Sequence, residues 1–170
     1  MSETRKAEIP IQKTERHITE LPRKIDTRLS IALGEMVVGY GRLEDMFKVA
    51  IRRLEGVRTL EQVIKDFGGM GGTIGSLANY CKKFSPIAAS CEKALALNTS
   101  RKHFIHATFV ADDKGQYVRF RELVAYTNLE EDIGTITKIT ENVNSLIEKI
   151  DQETGSPASL GAGPAADRIS

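Results

Sequence analysis

Residues Thr27 to Glu55 read TRLSIALGEMVVGYGRLEDMFKVAIRRLE, and Leu29, Leu33, Met36, Val37, Tyr40, Leu43, Phe47, Ala50, Ile51 and Leu54 recur along them at three- and four-residue steps. This spacing follows the period of an α-helix and gathers the apolar side chains on one buried face. It is the longest element that the sequence predicts, and Gly56 ends it. Gly34, Gly39 and Gly41 interrupt it. Each weakens a helix by about 1 kcal/mol relative to alanine, so they are expected to mark a close helix contact or a kink.

Working toward the C-terminus, Thr59 opens a short helix with Gln62 at the capping-box position, an apolar side of Leu60, Val63, Ile64 and Phe67, and a stop at Gly68 and Gly69. The stretch Gly68-Gly-Met-Gly-Gly-Thr-Ile-Gly75 lacks the Gly-Lys-Ser/Thr ending of a phosphate-binding loop and follows no strand pattern, so it reads as a connection between helices. Thr73 is placed to cap a helix running through Phe84, with Ile74, Leu77, Tyr80 and Cys81 inward. Ser85-Pro86 ends that helix and starts the next, since serine caps and proline is tolerated at a first helical position. The following helix extends from Pro86 to about Phe109, with Asn98-Thr-Ser100 a place where side chains compete for backbone hydrogen bonds and can interrupt it. A turn signal at Asp112-Asp-Lys-Gly-Gln116 lies between Thr108-Phe-Val-Ala111 and Tyr117-Val-Arg-Phe-Arg121, which predicts a small β-hairpin. Asn128 and Glu131 then cap a last helix whose stripe is Ile133, Ile136, Ile139, Val143, Leu146, Ile147 and Ile150.

The predicted fold class is therefore all-α: a helical bundle of four main helices plus a short helix, with a small β-hairpin before the last helix. Residues 1–23 form a polar leader, expected to be largely flexible apart from a helical turn between Ile18 and Pro22. Residues 24–152 form the domain. Residues 153–170, rich in small residues, carry too little apolar surface to offset ordering entropy and are expected to be disordered.

The length of 170 residues suits one domain with a sizeable core. The formal net charge of +1 exerts no global pull on nucleic acid or membrane, but its distribution is uneven. Residues 82–121 carry eight Lys or Arg against three acids, and residues 122–153 carry eight acids against Lys138 and Lys149, so the first of these segments suits a polyanion. No apolar run reaches bilayer-spanning length and Met1 to Lys6 lacks the apolar core of a signal peptide, so the expected location is cytoplasmic, with no membrane partner. Cys81 and Cys91, without CxxC spacing, read as small buried thiols.

The chemistry concentrates in Arg101-Lys-His-Phe-Ile-His106, inside the basic segment. Histidine titrates nearest neutrality and can move protons, while the planar donor fork of arginine suits a phosphate. A five-residue step turns about 140° around a helix, so Arg101 and His106 cannot address one point from a single straight helix. Two copies meeting about a two-fold axis can bring both pairs together. Lys102 and His103 lie near His106 on the helix and are candidate RNA contacts, as are Arg119 and Arg121 on the hairpin beside Tyr117 and Phe120. Glu44 is a candidate to orient the arginine or a histidine, against the plainer reading of an ion pair with Lys48 one turn on. Paired acids or a His/Cys cluster at metal-ligand spacing are missing from the sequence, so no metal or other cofactor is expected. His17, in the leader, has no evident role.

A long first helix containing Gly39-Tyr-Gly-Arg-Leu-Glu44, a later helix with Arg101-Lys-His-Phe-Ile-His106, a hairpin and a closing helix together resemble the HEPN superfamily of small all-α domains over roughly residues 27–151. The hallmark of that superfamily is an arginine followed, after four to six residues, by a histidine. The resemblance implies a metal-independent endoribonuclease of the kind found in toxin–antitoxin and antiviral (phage-defence) systems, with Arg101 and His106 as the catalytic pair in a site shared across a homodimer. It implies RNA as substrate and a cognate antitoxin or defence-system partner. Other members are catalytically inactive RNA-binding or protein-interaction modules. Lys102 stands where the family commonly has a small polar residue, often asparagine.

Overall fold

A computed structural model describes residues 25–68, 74–111, 117–121 and 124–155. Among them the chain forms α1 (Thr27–Glu55), α2 (Leu60–Gly68), α3 (Ile74–Cys81), a 3-10 turn (Ser85–Ile87), α4 (Ala88–Ile105), β1 (Thr108–Ala111), β2 (Tyr117–Arg121), β3 (Val124–Tyr126) and α5 (Leu129–Gly155). The architecture is an all-α helical bundle carrying a small antiparallel sheet of order β1-β2-β3. The expected leader, its turn near Ile18, His17, the Thr73 cap and the hairpin turn at 112–116 lie outside the described residues, as does the segment from 156 onward.

The boundaries of α1 follow from its caps. The Asp26 carboxylate accepts from the backbone amides of Arg28 (2.8 Å) and Leu29 (3.4 Å), filling two of the donors that a helix start leaves open. At the other end Gly56 takes φ 68°, a left-handed value that favours glycine, and its amide returns to the Arg52 carbonyl. A reciprocal capping box starts α2, with the Thr59 amide donating to Gln62 Oε1 and the Gln62 amide to Thr59 Oγ1, whereas α5 is capped by Asn128, whose Oδ1 accepts from the Glu131 amide while its Nδ2 donates to the Glu131 carboxylate.

Helices α1 and α5 make the most extensive contact in the molecule. Leu29, Met36, Leu43, Phe47 and Ile51 meet Ile136, Val143, Leu146 and Ile150, all buried, and Ile74, Leu77, Cys81, Ile87, Cys91 and Ala94 from α3, the turn and α4 close the core. Both cysteines are fully buried, as expected for small apolar thiols. Val37 and Ile64, assigned inward from their spacing, are instead exposed.

Several expectations are corrected. Of the three glycines only Gly39 faces another helix, and a Cβ there would meet Val143 Cγ1 at 3.5 Å, an ordinary van der Waals contact, whereas Gly34 and Gly41 face open space. The helix through Asn98-Thr-Ser100 is unbroken because the Thr99 and Ser100 hydroxyls donate back to the carbonyls of Leu95 and Ala96, bonding within the helix instead of competing with it. The third helix stops at Cys81, and Phe84–Ile87 turn before α4 begins at Ala88. Helix α4 ends at Ile105 rather than near Phe109, because Thr108–Ala111 pair with Tyr117–Phe120. The hairpin gains a third strand, and α5 runs to Gly155, beyond the domain end expected at 152.

Candidate functional site

The C-terminal half of α4 presents Arg101 and His106 on different sides. Arg101 turns toward α1 and is half-buried, with its guanidinium carbon 5.1 Å from the centroid of the Tyr40 ring. That distance allows the ring face to attract the cation. Tyr40 is almost fully buried and fixed at its far end, since its hydroxyl donates to the Leu97 carbonyl at 2.6 Å. Burial pushes its phenol well above the ordinary range, against the opposing pull of Arg101, so the ring is a neutral platform at physiological pH. The Arg101 Nε is buried and has no hydrogen-bond partner among the described residues; the same holds for Oδ1 of Asn98, one turn earlier on the same helix.

Glu44 lies one turn beyond Tyr40 on α1 and is half-buried. Burial raises its carboxyl pKa, and the positive charges of Lys48 and Arg101, together with the Ile74 amide, work in the other direction. It therefore stands within the electrostatic reach of Arg101, as an orienting residue requires. The ion pair expected between Glu44 and Lys48 is made by another acid: Lys48 Nζ lies 2.9 Å from Asp45, the better-placed acid three residues before it.

His106 is exposed and forms the C-cap of α4, with its amide returning to the carbonyls of Lys102 (3.4 Å) and Phe104. Lys102 and His103 are also exposed on this last turn, where cations complement the negative end of the helix dipole. The helix end thus offers three exposed basic or titratable side chains, with Arg101 set back against α1.

The hairpin does not add Arg119 to that surface. Tyr117 and Arg119 share one face of β2 by strand alternation, and Arg119 is buried. Its Nε and Nη2 donate to the two carboxylate oxygens of Asp132 at 2.7 and 2.9 Å, in the bidentate geometry favoured by arginine and carboxylate. The Tyr117 hydroxyl donates to the same carboxylate at 2.5 Å, and the Arg119 guanidinium covers the Phe104 ring at 4.8 Å. Arg119 is thereby corrected from an RNA contact to an interior residue: desolvation of its charge is compensated by Asp132. Arg121 ends β2, and its side chain lies outside the described part of the structure.

Asp132 was not singled out by sequence reasoning, yet a signal existed. It precedes Ile136, Ile139, Val143, Leu146 and Ile150 at the same alternating four- and three-residue step, so an acid occupies a core position of the α5 stripe. A buried acid at such a position needs a buried cation.

Among the described residues no three His, Cys, Asp or Glu side chains gather closely enough to hold a metal ion, and no helix is long and apolar enough to cross a membrane. No protein-family model, curated protein or solved structure matches the chain.

Proposed function

We propose that the chain is a HEPN-like endoribonuclease that cleaves RNA without a metal, through Arg101 and His106 arranged in a site shared between two copies. The supporting observation is the setting of Arg101: a half-buried guanidinium laid over Tyr40, within reach of the Glu44 charge, with a buried Nε that has no partner among the described residues. The buried Nε is closed to solvent, so the donors left for a phosphate are those of the terminal guanidinium nitrogens, and the surroundings of the side chain limit its rotamers before the substrate arrives. His106 is exposed at the end of the same helix, where a substrate can reach it.

In this reading His106 acts as general base on the RNA 2′-hydroxyl or as general acid on the 5′-oxygen, and Arg101 holds the phosphate and the charge that develops on it. Attack of the 2′-oxygen forms its bond to phosphorus as the bond to the 5′-oxygen breaks, leaving a 2′,3′-cyclic phosphate and a free 5′-hydroxyl. Exposed Lys102 and His103 suit backbone contacts on either side of the cut. Because Arg101 turns toward α1 and His106 stands exposed past the end of α4, the second copy supplies the complementary half of the site.

The test is cleavage of an oligoribonucleotide in the presence of a chelator, beside the same oligonucleotide carrying one 2′-deoxy sugar at the cut position. The expected result is a cyclic-phosphate product from the first and no cut at the modified position in the second. Cleavage of the deoxy position would remove the 2′-oxygen mechanism, and no cleavage of any RNA would favour an inactive RNA-binding or protein-interaction module.

A further inference from the structure

The last turn of an α-helix leaves its final carbonyls without intrahelical donors. At the end of α4 the Ala107 amide, which would reach the His103 carbonyl in a continuing helix, instead donates to Phe104 at 3.2 Å. The His103 carbonyl is met by the hairpin: Arg119 Nη1 donates to it at 3.4 Å while the rest of the guanidinium is held by Asp132 and lies over Phe104. One arginine thus joins the start of α5, the central strand β2 and the helix end that carries His103 and His106. Its positive charge also opposes the negative end of the α4 dipole.

We infer that Arg119 and Asp132 are positioning residues that fix the histidine-bearing end of α4, with Tyr117 holding the Asp132 carboxylate in place. This rests on the ribonuclease reading for its effect on catalysis, but the mechanical part stands on the contacts alone. His106 is the C-cap residue itself, three positions beyond the clamped carbonyl, so fraying of that turn moves its ring relative to the phosphate held by Arg101. The pair contacts neither the substrate nor the reacting atoms in this account.

Removing one partner alone would strand a buried charge, so the informative variant replaces the whole polar set with apolar groups, Tyr117→Phe, Arg119→Met and Asp132→Leu together. Amide hydrogen exchange at His106 and Ala107, the ring resonances of His103 and His106, and kcat and KM on RNA are compared with wild type. The expected result is a folded variant whose His106 amide exchanges about ten-fold faster or more. The His106 ring resonances shift, and kcat falls about ten-fold with KM within about two-fold. A folded variant with unchanged exchange, unchanged His106 resonances and unchanged kcat overturns the inference. Should the wild type cut no RNA, the ribonuclease reading fails by itself, and exchange at His106 still decides for or against the clamp. If the triple variant does not fold, Arg119→Lys takes its place: one ammonium can satisfy Asp132 without spanning to the His103 carbonyl, so the same gain in exchange is expected and its absence counts against the clamp.

Discussion

Arg101 and Glu55 show how differently the same kinds of group are used on this scaffold. Arg101 has a ring beneath it and an orphaned Nε, whereas Arg58 and Glu55 are saturated: Glu55 accepts two bonds from Arg58 at 2.7 Å, one from Tyr80 and one from Lys83 at 3.3 Å. Hydrogen bonding to Arg58, helped by Tyr80 and Lys83 and opposed by burial, pulls the Glu55 carboxyl down to about 2 from its ordinary 4.5. A folded-state pKa below the unfolded one means stability that is complete above about pH 4.5 and is lost as pH falls toward 2. Glu55→Gln should therefore destabilise the protein at neutral pH and flatten the acid limb of its stability curve in that window, as read by urea melts at stepped pH. Tyr40→Phe should cost about 1 kcal/mol by removing the bond to the Leu97 carbonyl while leaving the ring under Arg101 in place, so a urea melt should move and RNA cleavage should not. The Tyr40–Leu97, Tyr40–Arg101, Tyr80–Glu55 and Lys83–Glu55 partnerships were not legible in the sequence, because each joins distant stretches of chain, whereas Glu55 and Arg58 stand only three residues apart; the histidines and Arg101 stood out only through their spacing on one helix.

At the scale of elements the legible features were those written locally. The bounds expected for α1 match because its apolar period and the terminal Gly56 lie within the same stretch, and the capping box at Thr59 and the side-chain cap at Asn128 form where their spacing puts them. What failed to show was whatever depends on pairing at a distance: the three-residue β3 has no period to read, and α4 is cut short by strand pairing that the helix pattern does not contain. Gly34 and Gly41 were misjudged for the same reason, since helix propensity says that a glycine is costly but not what stands opposite it. With nothing within 4 Å of a Cβ at either position, Gly34→Ala and Gly41→Ala should each stabilise the protein by about 0.5–1 kcal/mol. Gly56→Ala, at φ 68°, should destabilise it by about 1 kcal/mol. Thermal melts of the three single variants check the signs.

For the whole molecule, the α1–α5 contact forms the frame on which α3, α4 and the sheet are arranged, and Phe47 is among its largest fully buried side chains. Phe47→Ala should cost about 3–5 kcal/mol, a large part of the stability of a domain this size, and lower the yield of folded protein whatever the activity. The frame sets Arg101 against α1 and leaves the histidine end of α4 exposed, with the buried Arg119–Asp132 pair tying that end to the sheet and to α5. The proposed chemistry requires two copies to complete what one helix cannot present. The measurement that bears on this most directly is single-turnover cleavage of end-labelled RNA in chelator by wild type, Arg101→Ala and His106→Ala, each shown to be folded and of equal oligomeric state. The account predicts that each substitution slows cleavage by about a hundred-fold or more; cleavage at the wild-type rate by either folded variant would contradict it.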